Sequence, residues 1–314
     1  MGRPVFDLHC DTLSTPWAGE TGRIPLNHPQ SAFSLGKIPP QTRWAQCCAA
    51  FLPDELSPTQ AMERFQLLRR RFEQSVRELR GCALPCVSGS DIRRAWGQGK
   101  SALLLTVENG SLLGRELENV ELLSQAGVVL LTLTWNGENP IGSGHATDKG
   151  LTLFGKALIP ELERRGIVVD VSHLNDRGFW DVMDLAHRPP VASHSNARAC
   201  CPHPRNLSDD QIRELIAREG LIGLNFHAPF LREGGTCTGM EDLYRHIAHF
   251  LELGAGDILA LGSDWDGSAP PPSLSSCRCV EPLADYLLSR GLTKEWLEKL
   301  LWKNAQAFFL KNRP

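Results

Sequence analysis

Eight short apolar runs, most of them rich in Val, Ile or Leu, recur along the chain. They are residues 5–12 (VFDLHCDT), 45–52 (AQCCAAFL), 101–109 (SALLLTVEN), 128–135 (VVLLTLTW), 167–173 (IVVDVSH), 190–196 (PVASHSN), 221–227 (LIGLNFH) and 258–267 (ILALGSDWDG). Most are nearly unbroken rather than alternating, the pattern of parallel strands covered on both faces. Amphipathic helical patterns lie between them. The one from residue 57 opens with Ser57 as N-cap, Pro58 at the first helical position and Gln60 three residues after the cap. Ser208 and Gln211 repeat the device, and Gly220 ends that pattern. Residues 154–166, 174–187 and 293–311 read as further helices, with Pro160 and Gly178 in tolerant positions.

Strands alternating with helices predict βαβ units and a parallel sheet. Eight such strands predict a closed (β/α)8 barrel of the TIM type, α/β in class, with its active site at the C-terminal ends of the strands. No glycine-rich phosphate loop follows a strand. Segments 13–44, 136–154 and 268–279 read as loops, and no linker marks a second domain, so residues 1–314 are expected to form one domain.

Composition changes this picture little. The net charge of -3 gives no basic footprint for nucleic acid. No apolar run is long enough to span a membrane. The N-terminal MGRPVFDLHC has no signal-like apolar segment, so a cytoplasmic protein is expected. Ten cysteines occur, without paired CxxC spacing, and most are expected to be reduced packing or surface residues.

The ends of the runs carry the chemistry. His9 and Asp11 are two residues apart and so share a face of an extended strand, where burial without a partner is costly. The third run ends in Glu108, the fifth in His173, the sixth in His194 and the eighth in Asp264. Each has an ordinary alternative. Glu108 could cap a helix, His173 could sit beside an N-cap, and Asp264 and Asp266 could form turns before Gly267. All six, however, would meet at one barrel mouth. Three imidazoles and three carboxylates suit zinc, and a bridging carboxylate can hold two ions about 3.5–4 Å apart.

The segments DLHCDT, VENG, LTLTWN, GLTLFGKALIPELERRGIVVDVSH, PVASHSNARACCPHPRNLSDDQI, GLNFH, LGSDWDG and KNAQAFF together resemble the membrane (renal) dipeptidase family, in its microbial form, over essentially the whole chain. The resemblance implies a dinuclear zinc dipeptidase that uses a metal-bridging hydroxide. His9 and Asp11 would bind one zinc, Glu108 both, and His173 and His194 the second. Asp264 would be the catalytic acid/base, and Arg205 of HPRN would hold the substrate's terminal carboxylate. L,D-dipeptides become plausible substrates, and homodimers are common among such barrels. Trp135 departs from the family, which often has His there, and His227 stands where aromatics are common; His145 is a candidate stand-in. Both changes bear on specificity. The competing readings are another hydrolase on the same barrel, acting on a lactone, cyclic amide or phosphoester, and a zinc-binding barrel that has lost catalysis.

Overall fold

The computed structural model of the protein describes residues 2–19, 24–40, 42–234 and 238–313. Among these, nine parallel strands occur: β1 (Val5–Asp7), β2 (Trp44–Phe51), β3 (Ala83–Pro85), β4 (Ser101–Glu108), β5 (Val128–Thr132), β6 (Val168–Asp170), β7 (Val191–Ala192), β8 (Leu221–Leu224) and β9 (Leu259–Leu261). The order β2-β1-β9-β8-β7-β6-β5-β4 closes on itself through β2–β4 pairing over seven residue pairs. The result is the eight-stranded (β/α)8 barrel. Strand β3, which the hydrophobic pattern does not reveal, pairs only with Ser101–Leu103 at the start of β4, while β5 takes Leu105–Glu108.

The helices between strands include α1 (Pro58–Glu78), α2 (Gly89–Gly97), α3 (Asn119–Gln125), α4 (Leu153–Arg164), α5 (Asp176–Leu185), α6 (Asp209–Ala217), α7 (Ala228–Leu231) and α8 (Met240–Glu252). Both expected capping boxes form, Ser57 with Gln60 and Ser208 with Gln211. Pro160 lies inside α4 and Gly178 inside α5. After β9 come α9 (Val280–Ser289), α10 (Lys294–Glu298) and α11 (Asn304–Asn312), the last two joined by a π-helical turn over Lys299–Lys303.

Alternate strand residues divide between two cores, as a sheet buried on both faces requires. Ala102, Leu104, Val168 and Ala260 pack in a cluster with Phe308 and Phe309 of α11. Leu103, Leu105, Val169 and Leu261 join the larger cluster that includes the helices. The nine described cysteines are free, and Cys237 lies outside the described residues. No helix among the described residues is long and apolar enough to cross a membrane.

Most strands are shorter than the apolar runs. Strand β1 stops at Asp7, β7 spans two residues and β9 ends at Leu261, so His9, Asp11, His194 and Asp264 lie just past their strands rather than on them. Past β4, β6 and β9 the backbone is also unusual. Asn109, His173, Asp264 and Asp266 have φ of 76°, 72°, 60° and 68°, a region that residues with a Cβ enter at a cost. The chain turns sharply at these points, and the polar side chains are aimed across the barrel mouth.

Candidate metal centre

All six expected groups converge at that mouth. Glu108 is the last residue of β4, His173 follows β6 by three residues and His194 follows β7 by two. His9 Nε2 lies 3.3 Å from Asp11 Oδ2, 3.6 Å from Glu108 Oε2 and 3.9 Å from Asp264 Oδ1. On the other side of the same carboxylate, Glu108 Oε1 lies 2.8 Å from His173 Nε2 and 3.7 Å from His194 Nε2. Glu108 therefore faces one nitrogen group with each oxygen. Donor atoms of His9, Glu108 and His194, and likewise those of His9, Asp11 and Asp264, lie within 4.8 Å of one another. The ordinary alternative fails for Glu108, because the turn after β4 is capped by Asn109; His173 does stand at a helix entrance, two residues before Asn175, the cap of α5, and it also faces the mouth.

Hydrogen bonds fix the imidazole tautomers, and the tautomers test whether a cation fits. Ser193 Oγ gives its one proton to Asp170 Oδ2 at 2.5 Å, so it accepts from His194 Nδ1 at 2.7 Å. His173 Nδ1 donates to Asn136 Oδ1 at 3.0 Å. Both Nε2 atoms are then bare lone pairs, yet they stand 2.9 Å apart beside a carboxylate oxygen. Three lone pairs that converge without a proton repel one another, and a cation between them removes the repulsion. Asp11 Oδ1 is likewise buried without a partner. The nitrogen and oxygen donors fit a borderline divalent metal.

The charges agree. Burial, reinforced by the Arg205 guanidinium among other nearby charges, pulls His173 and His194 well below the ordinary imidazole value. Burial also opposes a charged His9, but Asp11 and Glu108 override it and lift that imidazole well above its usual value. Burial together with Asp11 pushes Glu108 up to about 7. Burial pushes Asp264 up to about 6, with His9 pulling the other way.

Several partners were not singled out from sequence. Asn225, just past β8, donates to Asp264 Oδ2 at 3.0 Å, and Asn136 orients His173 as described. Asn136 directly follows the run 128–135 and Asn225 lies near the end of the run 221–227, the same kind of position that marked the six. Gly267 is dictated by space: a Cβ there would lie 1.9 Å from Asp11 Oδ2.

A cavity of about 390 Å³ opens over these groups, lined by Glu108, His173 and Asp264 and walled by Phe51, Trp135 and Phe230. Trp135 meets Phe51 edge-on at 5.0 Å, and His227 also lines the space. His145 donates its backbone N–H to His173 O at 2.8 Å, and its ring Nδ1 is buried without a partner. Arg205 is 3% exposed and lies behind the wall, its guanidinium 5.4 Å from the Phe230 ring. Its Nη1 and Nη2 donate to Ser195 Oγ and His194 O at 3.4 and 3.2 Å, while Nε has no partner. Burial lowers its pKa to about 10 even though Asp264, Glu108 and Asp170 support the charge. Arg205 is thus a buried residue with an unspent donor.

The family model for membrane dipeptidase, peptidase family M19, matches residues 2–311. A Klebsiella pneumoniae protein, described as an uncharacterised protein in the pqqA 5′ region, is 34% identical over 253 residues, covering 77% of this chain and 92% of its own. The crystal structure of a Rhodobacter sphaeroides metallopeptidase liganded with a phosphinate mimic of the dipeptide L-Ala-D-Ala superposes with a TM-score of 0.94 at 25% identity, over 100% of both chains. The structure of a dipeptidase described as an M19 metallopeptidase gives 0.94 at 26% identity, over 100% of this chain and 99% of that one.

Proposed function

The chain belongs to the membrane dipeptidase family of metal-dependent hydrolases, and on that premise we propose that it cleaves dipeptides with two zinc ions, L,D-dipeptides among them. The observation that carries the reading is the pair of bare imidazole nitrogens set 2.9 Å apart against Glu108. Glu108 would bridge the ions, with His9 and Asp11 on one side and His173 and His194 on the other. When bound, such a pair supplies a water ionised near neutral pH and Lewis-acid stabilisation of the carbonyl oxygen.

The chain's own residues do the rest. Asp264, beside His9 and held at Oδ2 by Asn225, takes the proton of the attacking water and passes it to the leaving amine. Asn225 leaves Oδ1 free for that exchange. Arg205 receives the terminal carboxylate of the substrate, for which a planar fork with an unspent Nε–H is suited. Phe230, which covers the guanidinium, must yield for that contact. Phe51 and Trp135 give the cavity an apolar lining against which the substrate's side chains would pack. The whole of residues 1–314 is taken as the catalytic domain, and a reducing compartment such as the cytoplasm suits the nine cysteines that are free among the described residues.

The test is metal analysis of the purified protein paired with a substrate panel. We expect two zinc ions per chain and hydrolysis of L,L- and L,D-dipeptides. The same dipeptides with an amidated C-terminus should be cleaved at least tenfold more slowly, because the amide removes the charge that Arg205 meets. Faster turnover of lactones or phosphoesters than of any dipeptide would overturn the assignment.

A further inference from the structure

Asp170 is the last residue of β6, fully buried directly below the site, and the mechanism does not use it. Four donors converge on its two oxygens. Oδ1 accepts from the backbone N–H groups of Ser172 at 3.0 Å and Ser193 at 2.9 Å. Oδ2 accepts from the hydroxyls of Thr132 and Ser193, each at 2.5 Å. A carboxylate has no proton to return, so both hydroxyl protons point at it. Ser193 has no second proton, and its oxygen can only accept from His194 Nδ1 at 2.7 Å. The imidazole proton is thereby locked on Nδ1 and the lone pair on Nε2, the atom that faces Glu108 and His173.

We propose that Asp170 is a positioning residue that acts through the Ser193 hydroxyl to fix the tautomer and aim of His194 for metal binding. The inference rests on the metal-centre reading above. Partners one step behind a metal-bound imidazole typically contribute 10- to 100-fold in affinity, roughly. A second carboxylate shows what is particular to this one. Asp7 at the end of β1 is also fully buried and accepts from a serine in the same manner, from Ser263 N at 2.8 Å and Ser263 Oγ at 2.7 Å, with Gln46 Nε2 at 2.6 Å. The Ser263 hydroxyl, however, touches no imidazole: its other contact is the backbone oxygen of His9 at 3.2 Å. The two carboxylates share a structural task, and only Asp170 has a histidine at the end of its chain of hydrogen bonds.

The conservative change Asp170→Asn keeps shape but replaces one oxygen with a donor. Where the amide NH₂ faces Ser193, that hydroxyl must accept from it and donate to His194, which moves the imidazole proton to Nε2. The experiment compares wild type, Asp170→Asn, Ser193→Ala and Ser193→Thr, the last retaining a hydroxyl. Zinc affinity is measured by competition with a chromophoric chelator, and the His194 tautomer by 15N NMR of histidine-labelled, metal-free protein. We expect Asp170→Asn and Ser193→Ala to bind one of the zinc ions at least tenfold more weakly and to lose the pure Nδ1–H signature. Ser193→Thr should restore both. Wild-type zinc affinity and Nδ1–H tautomer retained in folded Ser193→Ala would overturn the proposal while leaving the dipeptidase reading intact. Wild type that binds no zinc at all would overturn both. If Asp170→Asn does not fold, the serine pair still decides the question.

Discussion

At the scale of single residues, the six convergent groups divide by what surrounds them. Five are the proposed metal ligands, while Asp264, the proposed acid/base, has one oxygen held by Asn225 at 3.0 Å and the other 3.9 Å from His9. The two proposed roles can be separated by substitution. Asp264→Asn should therefore retain close to the wild-type zinc content and lose turnover by 10²-fold or more, roughly the contribution of a positioned general base. His194→Ala should instead lose metal. Zinc content and kcat measured on the same preparations check this, and substantial turnover by zinc-loaded Asp264→Asn protein would remove Asp264 from the proton pathway. The six themselves were legible in the sequence because each is a titratable group at the end of an apolar run. Asn136 and Asn225 stand in the same position but carry no charge, and an uncharged amide after a strand resembles ordinary turn chemistry. Asp170 was hidden for a different reason. A carboxylate in a strand declares only that it has partners, and its side-chain partners, Thr132 and Ser193, come from two other segments of the chain.

At the scale of elements, the hydrophobic runs located every barrel strand but overstated most of their lengths. The runs continue through residues that pack well, while strand pairing ends at Asp170 in β6 and Leu261 in β9, three residues before φ turns positive at His173 and Asp264. Strand β3 was missed because three residues, ending in Pro85, carry too little pattern to stand out. The helix starts were legible because a capping box is local, needing only Ser57 and Gln60 or Ser208 and Gln211. The close approach of β7, β8 and β9 was not local. A Cβ on Gly262 would lie 1.9 Å from Ser193 O and 3.0 Å from Gly223 Cα, both backbone atoms of neighbouring segments that cannot swing aside. Gly262→Ala should cost about 1–3 kcal/mol through overpacking, read as a lower urea midpoint with an unchanged slope. It presses on the peptide that carries His194, so zinc affinity should fall with it. An alanine variant as stable as wild type would show that the strands can part without loss.

At the scale of the whole molecule, the alternation of strand and helix fixed the barrel, and the barrel explains how residues 255 positions apart, His9 and Asp264, come within 3.9 Å. The candidate ligands come from the ends of β1, β4, β6 and β7, which are spread around a ring closed by the β2–β4 pairing. A cation bound there ties segments that are otherwise joined only to their immediate neighbours. It also relieves the repulsion among buried carboxylates and bare imidazoles, which the metal-free fold must bear. Both effects favour the folded state alone, since the unfolded chain scatters these ligands along its length. Metal binding should therefore appear as stability: zinc held at about 100 times its dissociation constant adds roughly 2.7 kcal/mol per site. Urea unfolding of the zinc-loaded protein should show a midpoint well above that of chelator-stripped protein. The slope should stay the same, because the surface exposed on unfolding is unchanged. The gap should shrink for His194→Ala, which removes a proposed ligand without touching the ring of strands. Equal midpoints for loaded and stripped wild type would mean that the converging side chains are balanced without a metal, and the repulsion inferred at the mouth would then have to be met by protons instead.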